Sequence, residues 1–115
     1  MKKTTHNDWT IEDARDVYNV DHWSDGYFDI NQQGELIAKL SDGQNEVAFP
    51  SLVQSLKRAG LTLPVLVRFS DILKDRVQRL CQAFDKARTK LNYQGEYTCV
   101  YPIKVNQHRR VVEQL

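Results

Sequence analysis

One helical seam constrains this chain more than any other feature. Leu73, Val77, Leu80, Phe84, Ala87 and Leu91 recur at alternating steps of four and three, so a single helix over residues 71–91 carries one apolar stripe. Lys74, Asp75, Arg76, Arg79, Asp85, Lys86, Arg88 and Lys90 form its wet face, with Asp75 and Arg79 as an i,i+4 pair. Ser70 stands where an N-cap belongs. Two strand-like runs flank the seam closely: Val65-Leu66-Val67-Arg68-Phe69, led in by Pro64, and residues 96–101. A seam this long also suits a coiled coil. The flanking strands favour a core-facing helix, and the second half of the chain takes an α/β rhythm.

The second strand leads to the residue of most chemical interest. Tyr97, Cys99 and Tyr101 point one way and Thr98 and Val100 the other, as in a strand covered on both faces. Asn92-Tyr93-Gln94-Gly95 separates it from the long helix. Lys104 falls where this strand runs out. Val105-Asn106-Gln107 connects it to a helical spacing resumed by Val111, Val112 and Leu115. Barrel enzymes place catalytic groups at such strand mouths, and a lysine amine held there can bond covalently to an aldehyde cofactor. On spacing alone, a charged residue capping a strand end in water is the commoner arrangement.

The first half reads as a small α/β region. Residues 1–8 are polar and expected to fray. Thr10 caps a short helix with Glu12 and Asp13 in its first turn and an apolar stripe of Ile11, Ala14, Val17 and Tyr18. Trp9 is expected to staple back onto Ala14. This helix fades near Asn19. Tyr27, Phe28 and Ile30 form a strand, Gln32-Gln33-Gly34 turns the chain, and residues 35–40 return as a hairpin. Asp42-Gly43 marks a second turn, and residues 46–49 make a third short strand. Pro50 opens a helix over residues 51–59 with Leu52, Val53 and Leu56 inward, stopped by Gly60. Asp21, His22, Asp25 and Asp29 match no metal-loop spacing and read as polar turn residues, so no metal ligand is assigned.

Composition narrows the function classes. The chain has 115 residues, 41% hydrophobic and 27% charged, with 16 basic against 15 acidic side chains and a net charge of +1. Nothing in that balance drives it toward nucleic acid or membrane. No apolar run approaches the roughly 20 residues of a spanning helix. The polar start Met1-Lys2-Lys3-Thr4-Thr5-His6-Asn7-Asp8 lacks a signal peptide's apolar core. A cytoplasmic protein is the expectation. Cys81 and Cys99 show no Cys-x-x-Cys spacing and are expected as buried free thiols.

The residues also carry a resemblance. Leu63-Pro64-Val65-Leu66-Val67-Arg68-Phe69, the long helix, and Val100-Tyr101-Pro102-Ile103-Lys104-Val105-Asn106 look like the opening of the pyridoxal-phosphate decarboxylases of the alanine-racemase-like barrel class. The run Val100-Tyr101-Pro102-Ile103-Lys104-Val105-Asn106-Gln107-His108-Arg109-Arg110-Val111 is similar to the bacterial biosynthetic arginine decarboxylases in particular. Trp23-Ser24-Asp25-Gly26-Tyr27-Phe28-Asp29-Ile30-Asn31 resembles the N-terminal region of the same branch. The resemblance covers most of the chain beyond about residue 15.

It implies a fold and a chemistry. Residues 1–69 become an N-terminal region with a hairpin and a strand belonging to a β-sandwich domain. Residues 70–115 become the long helix, the first strand of an incomplete (β/α)8 barrel and the start of its helix. A complete barrel takes about 250 residues, so the chain is expected to be a fragment or a truncated product, inactive alone. Val111, Val112 and Leu115 end in mid-helix without a cap. Lys104 matches the lysine that holds pyridoxal 5'-phosphate and acts in catalysis. Asn106 is expected to shape the loop and His108 to open the following helix. The implied reaction converts L-arginine to agmatine and carbon dioxide on the way to putrescine and spermidine. Magnesium is implied without ligands in view, and so is a homo-oligomer for the complete enzyme. A related ornithine or diaminopimelate decarboxylase is the alternative within enzymes. A binding module built on Lys104, His108, Arg109 and Arg110 with Tyr97 and Tyr101 is the alternative outside them, and a chain with no function of its own is the third.

Overall fold

A computed structural model describes residues 8–39 and 45–115. The expected frayed start and the Asp42-Gly43 turn lie largely outside them. The chain divides into two compact units between Val65 and Leu66.

In the first unit, Thr10 caps α1 (Ile11–Val17) through a reciprocal box with Asp13. The Thr10 hydroxyl oxygen accepts from the Asp13 N–H at 3.1 Å, and the Asp13 carboxylate accepts from the Thr10 N–H at 2.8 Å. This box fixes the helix start without the Trp9 staple: Trp9 stays exposed, and so do Val17 and Tyr18 of the expected stripe. Asn19 adopts a left-handed backbone and ends α1, and a second short helix, α2 (Val20–Ser24), follows at once. The polar sequence there hid it. What holds it is the burial of Val20 and Ser24, one turn apart on one side.

The hairpin forms as expected, from β1 (Phe28–Ile30) and β2 (Leu36–Lys39), and β3 (Glu46–Ala48) adds to it in an antiparallel sheet ordered β1-β2-β3. Ile37 lies between Asp29 and Ala48, and Ala38 between Phe28 and Val47. These neighbours on β2 point to opposite faces, yet Ile37 is 3% and Ala38 0% exposed. The sheet centre is therefore covered on both sides. Helices α1 and α2 lie against β1, and α3 (Phe49–Arg58) lies against β2 and β3. Trp23, Phe28 and Phe49 line up as tilted ring pairs at 5.5 and 6.2 Å. Pro50 sits in the first turn of α3, and Gly60, at φ 78°, follows its end in the conformation glycine takes most cheaply.

Asp29 ties this unit together electrostatically. Its carboxylate accepts from Arg15 Nε and Lys39 Nζ, both at 2.7 Å, and from the Ile30 N–H at 2.7 Å. Partial burial pushes its pKa up, but the hydrogen bonds from Arg15, Lys39 and Ile30 outweigh that and bring it down to about 2. A carboxylate lowered in the folded state contributes stability above its ordinary value of 3.8 and loses it as pH falls toward about 2. Asp29→Asn is expected to cost about 1–2 kcal/mol at neutral pH, after allowance for solvent screening, and to flatten the acid side of the stability curve. Urea unfolding of both chains across that pH window checks it; equal acid slopes would refute the linkage.

The second unit contains α4 (Ser70–Lys90), one 3-10 turn (Ile103–Val105) and α5 (Arg109–Val112). The long helix matches its expected span within a residue, with Ser70 as its first residue and Phe69 at the cap position. The Arg79–Asp75 pair is present at 2.7 Å. Two expectations are corrected. Residues 65–69 and 96–101 form no strand among the described residues. A strand with both edges in a parallel sheet needs neighbours to accept and donate its ladder bonds, and no strand of the described residues pairs with either run. The face expected to be core is also more open: Leu73 and Val77 are half-buried, while Leu80, Phe84 and Ala87 are exposed. Phe84, 46% exposed, is thus not the fully buried ring whose truncation costs a core-sized penalty. The architecture is mixed α/β with a small three-stranded antiparallel sheet, and no barrel is formed by the described residues.

Candidate functional site

Lys104 stands on the 3-10 turn of residues Ile103–Val105 rather than at the end of a strand. The turn begins at Pro102, which lacks an N–H and has φ −78°, and closes with Val105 N–H donating to the Pro102 carbonyl at 3.0 Å. The Asn106 N–H then donates to the Ile103 carbonyl at 3.1 Å. The Asn106 side-chain oxygen accepts from the His108 N–H at 3.1 Å, and His108 occupies the cap position of α5. These are the loop-shaping and helix-opening positions the sequence suggests for them. Val111 is the buried residue of α5.

The side chain of Lys104 is exposed and makes no hydrogen bond or ion pair among the described residues. Its amine is open to an electrophile, but no apolar wall surrounds it. Arg109 is held by Glu113 at 2.6 Å, which takes one cation out of the basic and aromatic cluster proposed around Lys104.

An open cavity of about 300 Å³ lies in the same unit, lined in part by Phe84, Ala87, Leu91, Tyr93 and Tyr97. Lys104 does not line it. Two of its lining rings, Phe84 and Tyr97, stack with centroids 4.2 Å apart and planes 8° from parallel. Partial burial raises the Tyr97 phenol above its ordinary pKa, and a hydrogen bond with Cys99 adds to the shift. Both cysteines are free, but Cys81 is half-buried and Cys99 exposed, which corrects the expectation of two buried thiols. The stack was not foreseen. The sequence places Tyr97 and Cys99 on one face and Cys81 and Phe84 three residues apart on a helix, but it does not say that those faces meet.

The Asp29 carboxylate is occupied by Arg15 and Lys39. Among the described residues no three His, Cys, Asp or Glu side chains gather to hold a metal ion, so none is assigned to the magnesium the resemblance implies. No helix of the described residues is long and apolar enough to cross a membrane.

Comparison with known proteins places this site in context. No family model matches the chain. It is 52% identical over 111 residues to the biosynthetic arginine decarboxylase of Shewanella denitrificans, 54% over 104 residues to that of Marinobacter nauticus, and 49% over 111 residues to that of Alkalilimnicola ehrlichii. These matches cover 95%, 89% and 95% of this chain but only 18%, 16% and 18% of the relatives. The chain therefore spans less than a fifth of the length of the curated relatives it matches.

Proposed function

We propose that this chain is a portion of a pyridoxal-phosphate-dependent arginine decarboxylase and that Lys104 is the residue that holds the cofactor. The observation that carries the reading is identity near 50% over nine-tenths of the chain to proteins named biosynthetic arginine decarboxylase. The reaction would take L-arginine to agmatine and carbon dioxide, an early step toward putrescine and spermidine, in the cytoplasm and in a homo-oligomeric enzyme. In that longer protein, residues 96–101 would gain neighbours on both edges and become the first strand of a (β/α)8 barrel.

The donor set fits the cofactor at one point. The unpartnered primary amine of Lys104 suits covalent attachment to an aldehyde. When bound, pyridoxal phosphate supplies the electron sink that lets carbon dioxide leave. Pro102 and the Asn106–His108 hydrogen bond hold the turn that presents Lys104. After carbon dioxide leaves, Lys104 Nζ is one candidate to return a proton at Cα. Productive turnover also needs the phosphate held, the substrate oriented and water excluded. The open surroundings of Lys104 supply none of these, so the described residues alone are not expected to decarboxylate arginine. No step is assigned to magnesium.

The test is chemical. Borohydride reduction of the longer enzyme carrying its cofactor should fix a label on the peptide containing Lys104. A label on another lysine would overturn the assignment.

A further inference from the structure

Aromatic rings and two opposite charges share the open cavity of the second unit. Phe84, Ala87 and Arg88 line it from the last turns of α4, Tyr93 from the turn beyond, and Glu96 and Tyr97 from the segment after Gly95. Printed contacts hold these pieces in place. Asn92, left-handed at φ 49°, follows the helix end. Its N–H donates to the Thr89 carbonyl at 3.2 Å, and the Tyr93 N–H donates to the Arg88 carbonyl at 2.9 Å. A β-carbon at Gly95 would fall 2.5 Å from the end of the Tyr93 ring, so that ring rests in the space the glycine leaves. The Phe84–Tyr97 stack joins the last segment to the helix.

The two charges decide what the cavity suits. Arg88 gives one guanidinium nitrogen, Nη1, to Asp85 at 3.2 Å. Its Nε–H is shut off from solvent and has no partner among the described residues. A donor left in that state costs stability that an arriving acceptor restores. A small rotation of this flexible side chain presents its Nε–Nη2 edge, the fork that takes a carboxylate through two parallel bonds. Glu96 lines the same cavity and makes no hydrogen bond or ion pair among the described residues. Opposite charges that line one cavity without pairing complement a ligand that carries both signs. The other lining groups are apolar or aromatic, and Phe84 and Tyr93 remain 46% and 62% exposed, so ring surface stays open. A volume of about 300 Å³ is at the lower end of small-molecule sites. It suits one ring with a short charged end.

We propose that this cavity binds a free aromatic amino acid of about the size of phenylalanine. The ligand's ring packs on Phe84 and Tyr93, its carboxylate meets Arg88, and its ammonium meets Glu96. A ligand with a cationic side chain would add a second positive charge beside Arg88, with Glu96 alone to balance it. The site is independent of the decarboxylase reading, since Lys104 does not line it and no cofactor enters it.

The experiment is calorimetric titration of the 115-residue chain with L-phenylalanine, 3-phenylpropanoate, phenethylamine, L-alanine and L-arginine. L-Phenylalanine is expected to bind saturably and one to one. The propanoate lacks the ammonium and the amine lacks the carboxylate, so each should bind about tenfold more weakly, the scale of losing one charged hydrogen bond. L-Alanine and L-arginine should give no saturable heat. Arg88→Met should remove the advantage of L-phenylalanine over phenethylamine, and Glu96→Gln its advantage over 3-phenylpropanoate. Ala87→Trp fills the cavity from an exposed helix position and should abolish binding with the thermal midpoint unchanged. The ligand series on the parent chain decides the matter even where a variant unfolds. No saturable binding of L-phenylalanine, equal affinity for the three ring compounds, tighter binding of L-arginine, or folded variants that bind like the parent would each overturn the proposal.

Discussion

Replacing Lys104 with alanine in the longer enzyme is expected to lower decarboxylase activity by roughly three orders of magnitude or more, the scale of losing a group at the reacting centre. The substitution should leave the fold largely intact. Lys104 is exposed and makes no hydrogen bond or ion pair among the described residues, so its removal breaks nothing that holds the turn. That turn rests on backbone bonds from Val105 and Asn106 and on the Asn106 side chain. Agmatine production from labelled arginine, read with the thermal midpoint, separates the two effects. A large fall in activity with an unchanged midpoint fits a chemical role. Activity within a few-fold of the parent would remove Lys104 from the site. A comparable activity loss accompanied by unfolding would make the lysine structural instead.

Ile37→Ala is expected to destabilise the first unit by about 2–5 kcal/mol, a large share of what a small domain has to lose. Ile37 is nearly fully buried at the middle of the central strand, opposite Asp29 on one side and Ala48 on the other. Truncation removes apolar contact and leaves a void that paired strands on both edges cannot easily close. Ile37→Val should cost only about 0.5–1.5 kcal/mol by the same logic. Val17→Ala on exposed α1 surface should change stability by less than about 0.5 kcal/mol. Denaturant unfolding of the three variants orders them. A cost for Ile37→Ala no larger than that for Val17→Ala would show that β2 is not the centre of the core.

Local signals made much of this fold legible. Thr10 and Asp13 announce the first helix, Gly34 the hairpin, Pro50 and Gly60 the ends of α3, and a regular seam the whole of α4. Each depends on residues a few positions apart, which a single sequence displays. What escaped depends on distant partners. Helix α2 exists because Val20 and Ser24 find cover, and polar neighbours mask that. The runs at 65–69 and 96–101 have strand composition, but composition cannot supply the pairing strands that make a strand. The same limit applies to the site. The sequence picked out Lys104 by its motif, but the stacking of Phe84 on Tyr97 joins two separate segments whose meeting no local pattern displays.

The shortness of the outer strands has a consequence for how this protein meets other copies of itself. Strands β1 and β3 are three residues each, and among the described residues only β2 is bonded along both sides. An approaching chain would find only a few backbone groups on either margin. Margins so brief give poor templates for strand-by-strand growth. The sheet can end in two such brief outer strands without seeding an aggregate.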